Sequence, residues 1–328
     1  MRRTDERRRY FGSMALGAAL SATMSTPTSA TAFPSRPIRL IVPYAPGGLI
    51  DTMARLLQRP LASLLEQPVV VENKPGAGGS IGTMELVNAP ADGHTLLFVN
   101  NGSNVILPLV QKVPYDPLTA FATVSLVASA PTILITREKV PGDSIEEVFR
   151  FARAQPKGVS FSSSGGTTDL LAELFGVAGK ARVVRVRYGG QAPATMAVLS
   201  GEVDMSFAAI SDQIMQSIKS GRIKGIGVTA MQETPLAPGI APLGKALPNL
   251  DFDSWYGIVA PAGTPPATVA ILNKAVVAAL ETPELRKAFV TAYVTPAPST
   301  PDFLASKMRK ETEMWERFIR DNNIRLDQ

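Results

Sequence analysis

The run from Ile38 to Asp51 (IRLIVPYAPGGLID) constrains the fold more than any other part of the chain. Ile38–Val42 is an almost unbroken apolar stretch, the pattern of a strand covered on both faces. Pro43, Pro46, Gly47 and Gly48 then force a tight turn. Beyond it, Ile50, Met53, Ala54, Leu57, Leu61, Leu64 and Leu65 recur at the spacing of one helix face. Pro60 falls inside that pattern and predicts a kink, because its ring clashes with the carbonyl of Leu56. A strand that turns directly into a helix aims the helix's unpaired N–H groups above the strand end, where main chain alone can hold an anion. The structural alternative is an ordinary β–α turn in which Asp51 serves only the helix dipole.

The same grammar repeats downstream. Strands are predicted at Val69–Val71, Leu96–Val99, Val159–Phe161, Val183–Val186, Val203–Phe207, Ile223–Val228 and Trp255–Val259. Helices follow Ser144, Thr168, Gln191, Asp212 and Pro266, and a last one begins at Pro301 with Thr300 as its cap. Alternating strands and helices mean an α/β fold with mainly parallel sheets flanked by helices. Chain crossovers are expected at Ser129–Pro131 and Asp253–Tyr256. They divide the chain into one domain from residues 33–130 plus 255–328 and a second from residues 131–254. At 328 residues the length suits about two domains of roughly 100–200 residues each.

Residues 1–32 read as an export signal cleaved after Ala32. Arg2, Arg3, Arg7, Arg8 and Arg9 precede a short apolar stretch, and Ala30-Thr31-Ala32 fits a small-x-small cleavage site. Arg8-Arg9-Tyr10-Phe11 matches a twin-arginine core, although Gly12 stands where an apolar residue is usual; an ordinary secretory signal is the alternative. Cleavage removes five arginines, Asp5 and Glu6, and the formal charge drops from +5 to +2. No basic patch is left to suggest nucleic acid as a partner. The chain has no cysteine, which excludes disulfides, thiol catalysis and thiolate metal sites. It has one histidine, His94, read as a surface turn residue; that leaves no Ser-His-Asp triad and no zinc set.

Several small-residue loops remain as candidate sites. Asn73 to Gly82 contains Gly76-Ala77-Gly78 after a strand, but its spacing departs from the dinucleotide fingerprint, and Leu96 stands where an acidic ribose partner belongs. No cofactor is expected. Ser162 to Thr168 places five hydroxyls and two glycines before a helix, a polar cradle for carboxylate oxygens. Asp204 either accepts from a ligand or caps a turn, and Tyr188 ends a strand where it can wall a cleft. Trp255 and Tyr256 are expected to pack at the crossover rather than meet a ligand.

Taken in order, several pieces resemble the Bug-type extracytoplasmic solute receptors, periplasmic binding proteins associated with tripartite tricarboxylate transporters. They are Phe33 to Pro43, Pro46-Gly47-Gly48 with Asp51, Gln67 to Gly79, Ala91 to Leu96, Val113 to Pro117, Ser125 to Ala128, Gly201 to Asp204 and Ala260 to Pro265. The resemblance covers essentially all of residues 33–328. It implies a two-domain periplasmic-binding-protein fold of type II-like form that closes on a small carboxylate. It implies no enzymatic activity. The first β–α loop, here Tyr44, Ala45, Gly47, Gly48 and Asp51, would hold the carboxylate. Ser163, Ser164, Thr167, Thr168, Tyr188 and Asp204 would select the rest from the second domain, with Asn101 and Ser103 as weaker contacts. Departures fall on the selecting side. Gly165-Gly166-Thr167-Thr168-Asp169 is a short turn without a nearby histidine, and Arg187-Tyr188-Gly189-Gly190 lacks a usual lysine.

The function expected on this reading is a monomeric periplasmic receptor. It captures a small organic acid and hands it to membrane transporter subunits in a transient contact. A ligand-sensing subunit of a signalling receptor and a secreted hydrolase using one of Ser162–Ser164 are the alternatives.

Overall fold

Ile38, Leu40, Ile41 and Val42 are completely buried, and they place β1 (Ile38–Val42) in the interior of a sheet as their unbroken apolar run requires. The computed structural model describes residues 33–164, 166–244, 246–247 and 253–324. The export-signal reading concerns residues 1–32 and lies outside the described residues. Among the described residues no helix is long and apolar enough to cross a membrane.

The chain leaves β1 through α1 (Leu49–Leu65), pairs β2 (Val69–Asn73) in parallel with β1, and passes through α2 (Ser80–Val87) to β3 (Thr95–Asn100), parallel on the other side of β1. α1 is continuous through Pro60 and buries Ile50, Met53, Ala54, Leu57, Leu61 and Leu65; Leu64, assigned to the same face by spacing, is 48% exposed. A π-helical turn at Gly102–Ile106 and the short α3 (Leu107–Val110) lead to β4 (Phe121–Ala130).

After Pro131 the chain changes sheet. β5 (Thr132–Arg137), α4 (Ile145–Arg153), β6 (Val159–Ser163), α5 (Thr167–Gly179), β7 (Val183–Arg187), α6 (Gln191–Leu199), β8 (Met205–Ala209), α7 (Asp212–Lys219) and β9 (Ile223–Val228) form the second sheet, in the order β7-β6-β8-β5-β9. The chain then returns as β10 (Ser254–Pro261), which runs antiparallel between β3 and β4. α8 (Pro266–Glu281), α9 (Pro283–Thr291), β11 (Thr295–Pro296) and α10 (Pro301–Asp321) follow. Each sheet thus joins a parallel set, β1-β2-β3 or β6-β7-β8, to reversed strands, β10 or β5. Thr300 accepts from the N–H of Phe303 and Pro301 opens α10, the cap and first position expected from sequence.

One apolar cluster joins Ile41, Leu97 and Val99 of the first sheet to Phe161 and Phe207 of the second through Leu304, Met308 and Trp315 of α10. Trp255 on β10 is fully buried there, and its indole N–H donates to the buried carboxylate of Glu311 on α10. Trp255 therefore packs at the crossover as expected. His94 does not sit at the surface: it is buried, accepts at Nε2 from the Ser35 N–H at 3.2 Å, and meets Phe33 edge-on. The turn that holds it also holds Asp92, 3.3 Å from Nδ1.

Gly82 on α2 lies hard against the end of β1. A Cβ there would stand 2.8 Å from Pro43 Cα and 3.1 Å from the Lys74 carbonyl, both backbone. Gly82→Ala is expected to destabilise by about 1–3 kcal/mol through overpacking. Urea denaturation reads this out; an unchanged midpoint would show that the contact has slack.

Candidate functional site

The C-terminal ends of parallel strands are where β–α turns and helix N-termini gather, and ligands of open α/β sheets bind there. In this chain those ends of both sheets border one cavity of about 530 Å³. From the first sheet come Tyr44 beyond β1, Asn100, Asn101 and Gly102 at the end of β3, and Ser254 and Tyr256 of β10. From the second come Ser164 and Gly166 between β6 and α5, Thr167, Thr168 and Asp169 in the first turn of α5, and Arg187 at the end of β7. Gly78, Leu107, Val110 and Gln111 complete the wall. A Cβ on Gly102 would lie 3.6 Å from Thr167 Oγ1, so the two rims approach closely beside the cavity.

On the first rim hydrogen bonds tie Tyr44 to Asn100 and the turn after β3. The backbone N–H of Ser103 donates to Asn100 Oδ1 at 2.8 Å, and this fixes which way the amide faces. Asn100 Nδ2 then donates to Tyr44 Oη at 3.0 Å. The Tyr44 hydroxyl in turn donates to Asn100 Oδ1 at 3.4 Å, so hydroxyl and amide hold each other. Burial pushes the Tyr44 hydroxyl above its ordinary pKa, and burial together with the nearby Tyr44 does the same for Tyr256. Both are therefore neutral hydroxyls. The π-helical turn after β3 supplies this arrangement: Ser103 Oγ donates to Asn104 Oδ1 at 2.6 Å, and Tyr115 Oη donates to the Ser103 carbonyl. Wide turns of this kind recur at functional sites.

On the second rim Asp169, 2% exposed in the first turn of α5, is the hub. It accepts from Ser163 Oγ and from Arg187 Nη2 at 2.9 Å, and Arg185 Nη1 stands 3.4 Å away; Arg185 also bonds Glu173 at 2.8 Å. Thr168 Oγ1 accepts from the Ser164 N–H at 3.0 Å.

The structure sorts the residues expected from sequence. Tyr44, Asn101, Ser164, Thr167 and Thr168 line the cavity. Ala45, Gly47 and Gly48 form the exposed turn next to Tyr44 and are not part of the lining. Asp51 is 3% exposed and braces that turn from beneath: it accepts from the Gly47 N–H, Arg55 Nε and Asn73 Nδ2, each at 2.9 Å. The Arg55 bond, helped by Gly47 and Asn73, outweighs burial and holds its carboxyl down at about 2. Ser103 and Ser163 are buried behind the lining as supports. Tyr188 donates to Glu202 at 2.9 Å, away from the cavity.

Asp204 is at the opposite end of its sheet. It bonds the Arg137 guanidinium at 2.9 Å and both the N–H and hydroxyl of Ser160, where β6 begins. Burial alone would raise its pKa; the Ser160 and Arg137 bonds prevail and lower it. No histidine stands near the serines of the second rim, because His94 is committed to Ser35 and Phe33. Among the described residues no group of three or more His, Cys, Asp or Glu could hold a metal ion.

Sequence reasoning missed Asn100, Asp169, Arg187 and Ser254 and assigned Tyr256 to packing, whereas Tyr256 faces the cavity. One signal was available: Arg185 and Arg187 alternate along β7, beside a strand that ends at Ser163 and turns into a helix with Asp169 in its first turn. Alternation puts both arginines on one face of the sheet.

A family model described as a tripartite tricarboxylate transporter family receptor matches residues 53–324. BugT of Bordetella pertussis is 33% identical over 313 residues, covering 93% of this chain and 95% of that protein. MatC of Rhodopseudomonas palustris, solved with bound malate, is 29% identical with a TM-score of 0.74, covering 88% of this chain and 100% of that one. Rpa4515 of R. palustris, solved with adipate, is 27% identical with a TM-score of 0.77, covering 89% and 99%.

Asp51 ties acid stability to the turn above it. Its folded carboxyl titrates at about 2, whereas an unfolded aspartate titrates near about 3.9. The stabilisation is therefore present above about pH 4 and lost as pH falls toward 2. Asp51→Asn is expected to cost about 1–2 kcal/mol at neutral pH, discounted because Arg55 is half exposed. Chemical denaturation across pH 2–7 checks it: the two proteins converge at the acid end, and a gap that does not change with pH contradicts the assignment.

Proposed function

This chain belongs to the tripartite tricarboxylate transporter receptor family, a family of periplasmic solute-binding proteins, and we propose that it captures a small carboxylate-bearing metabolite in the cavity between its two sheets. One observation carries the reading. The C-terminal ends of both parallel strand sets meet at one cavity, with neutral donors on one rim and an arginine on the other. Donors held in place by the fold, such as Tyr44 through Asn100, bind an anion without paying to order themselves. Malate and adipate, the ligands solved in MatC and Rpa4515, are of the class that such a rim suits.

The proposal includes motion. Residues 33–130 plus 255–328 form one lobe and residues 131–254 the other, with the crossovers at Ser129–Pro131 and Asp253–Tyr256 as hinges. Closure brings the Ala45–Gly48 turn and the first turn of α5 onto the ligand and expels water, which strengthens every polar contact inside. The exposed glycines of the turn, Gly47 at φ +88°, allow main chain to approach a bound oxygen. The mature protein starts after a cleaved leader of residues 1–32, works in the periplasm and delivers its ligand to membrane transporter subunits. It changes no covalent bond in the ligand.

Calorimetry against mono-, di- and tricarboxylates tests this. At least one should bind with one-to-one stoichiometry and a negative heat-capacity change. Tyr44→Phe, which removes one hydrogen bond to a charged group, should weaken binding by about 10- to 100-fold. A folded protein that responds to no carboxylate refutes the reading.

A further inference from the structure

We propose that Tyr293 and Asp212 tie the two lobes together on the far side of the crossing strands from the cavity, and that this tie resists closure and so sets ligand affinity without touching the ligand. This rests on the two-lobe closure proposed above. Tyr293 Oη donates to Asp212 Oδ1 at 2.6 Å, across 81 positions of sequence. Tyr293 stands between α9 and β11, in the first lobe, and Asp212 opens α7, in the second.

The backbone at Tyr293 is shaped around this contact. α9 ends in a Schellman turn: the Tyr293 N–H donates to the Val290 carbonyl at 3.0 Å and the Val294 N–H to the Phe289 carbonyl at 3.1 Å. Tyr293 takes φ +59° there, a position where glycine is usual because a Cβ crowds the backbone. Surrounding contacts must hold such a residue in place, and strain of this kind clusters at switch regions. Here the contacts belong to both lobes. Val294 is fully buried in the core of the first sheet. The Tyr293 side chain packs against the apolar cluster of the second, which includes Ile210 and Ile214 on either side of Asp212. The bond to Asp212, with burial, raises the Tyr293 hydroxyl above its ordinary pKa, so it is a donor at neutral pH.

Strand order separates the tie from the cavity. The first sheet runs β11-β4-β10-β3-β1-β2, with the crossing strands β4 and β10 between β11 and β3. The cavity draws on residues after β1, at the end of β3 and on β10; Tyr293 leads into β11 at the other edge. In the second sheet, β7-β6-β8-β5-β9, the cavity draws on β6 and β7, whereas α7 carries the chain from β8 past β5 to β9. A rotation about the crossing strands that brings the cavity rims together draws Tyr293 away from Asp212. The open form keeps the bond and the closed form gives it up, so every ligand binds against it by the same factor.

Tyr293→Phe keeps the ring and removes the donor; Asp212→Ala removes the acceptor. Calorimetry with adipate and malate should show each variant binding both acids about 2- to 10-fold more tightly than wild type, with their ratio unchanged. The double variant should bind no more tightly than Tyr293→Phe alone, since one tie is cut once. A contact that merely stabilises the surface would lower the urea midpoint and leave binding as it was. The chain has no cysteine, so Thr52→Cys and Ala192→Cys, exposed in the first turns of α1 and α6, can carry spin labels across the cavity. In unliganded protein the short-distance population between them should rise in Tyr293→Phe. Unchanged or weakened affinity, or an unchanged distance distribution, overturns the tie and leaves carboxylate binding standing. If folded wild type binds no carboxylate at all, the reading of the cavity falls, and the label distances alone decide for or against the tie.

Discussion

Parallel strands gather their helix N-termini at one end of a sheet only, and in this protein both sheets bring that end to the same cavity. The crossing at Pro131 and the return through β10 make this possible. β4 and β10 lie side by side in the first sheet, so the chain can leave one sheet and come back without carrying the second sheet's strands with it. The apolar cluster shared by both sheets and α10, with the Trp255–Glu311 bond inside it, holds the side of the molecule where these crossings lie.

Polar groups behind the cavity matter as much as those that line it. Asp51 fixes the turn beside Tyr44, Ser103 and Asn104 fix Asn100, and Ser163 and Arg185 fix Asp169. Each is buried or partly buried and hydrogen-bonded, which is the condition for a polar group to sit in an interior without a large desolvation cost. Such supports make a rim rigid before any ligand arrives, and rigidity of donors is what converts contacts into affinity.

The family assignment and the geometry answer different questions. The family match over residues 53–324 places the chain in a family of periplasmic solute-binding proteins. The cavity wall bears on which solute: among the described residues its charges are those of Asp169 and Arg187, and its first rim is neutral.

From sequence alone, the strand at Ile38–Val42, the helix that follows, the alternation of strands and helices and the cap at Thr300–Pro301 could all be read. Each depends on residues within a few positions of one another, where periodicity and turn chemistry act. The loops that supply Tyr44, Ser164, Thr167 and Thr168 could be read for the same reason. Which side chains face the cavity was decided by the tertiary structure. Asp51 and Asp204 are acids in suggestive motifs, but Arg55 and Asn73 claim one, and Arg137 and Ser160 claim the other. Asn100 and Tyr256 carry no local mark, and they meet Arg187 only because distant strands end at one place. A hydrogen-bond partner far along the chain leaves no trace in the spacing around either residue, so only packing could tell a brace from a binding group.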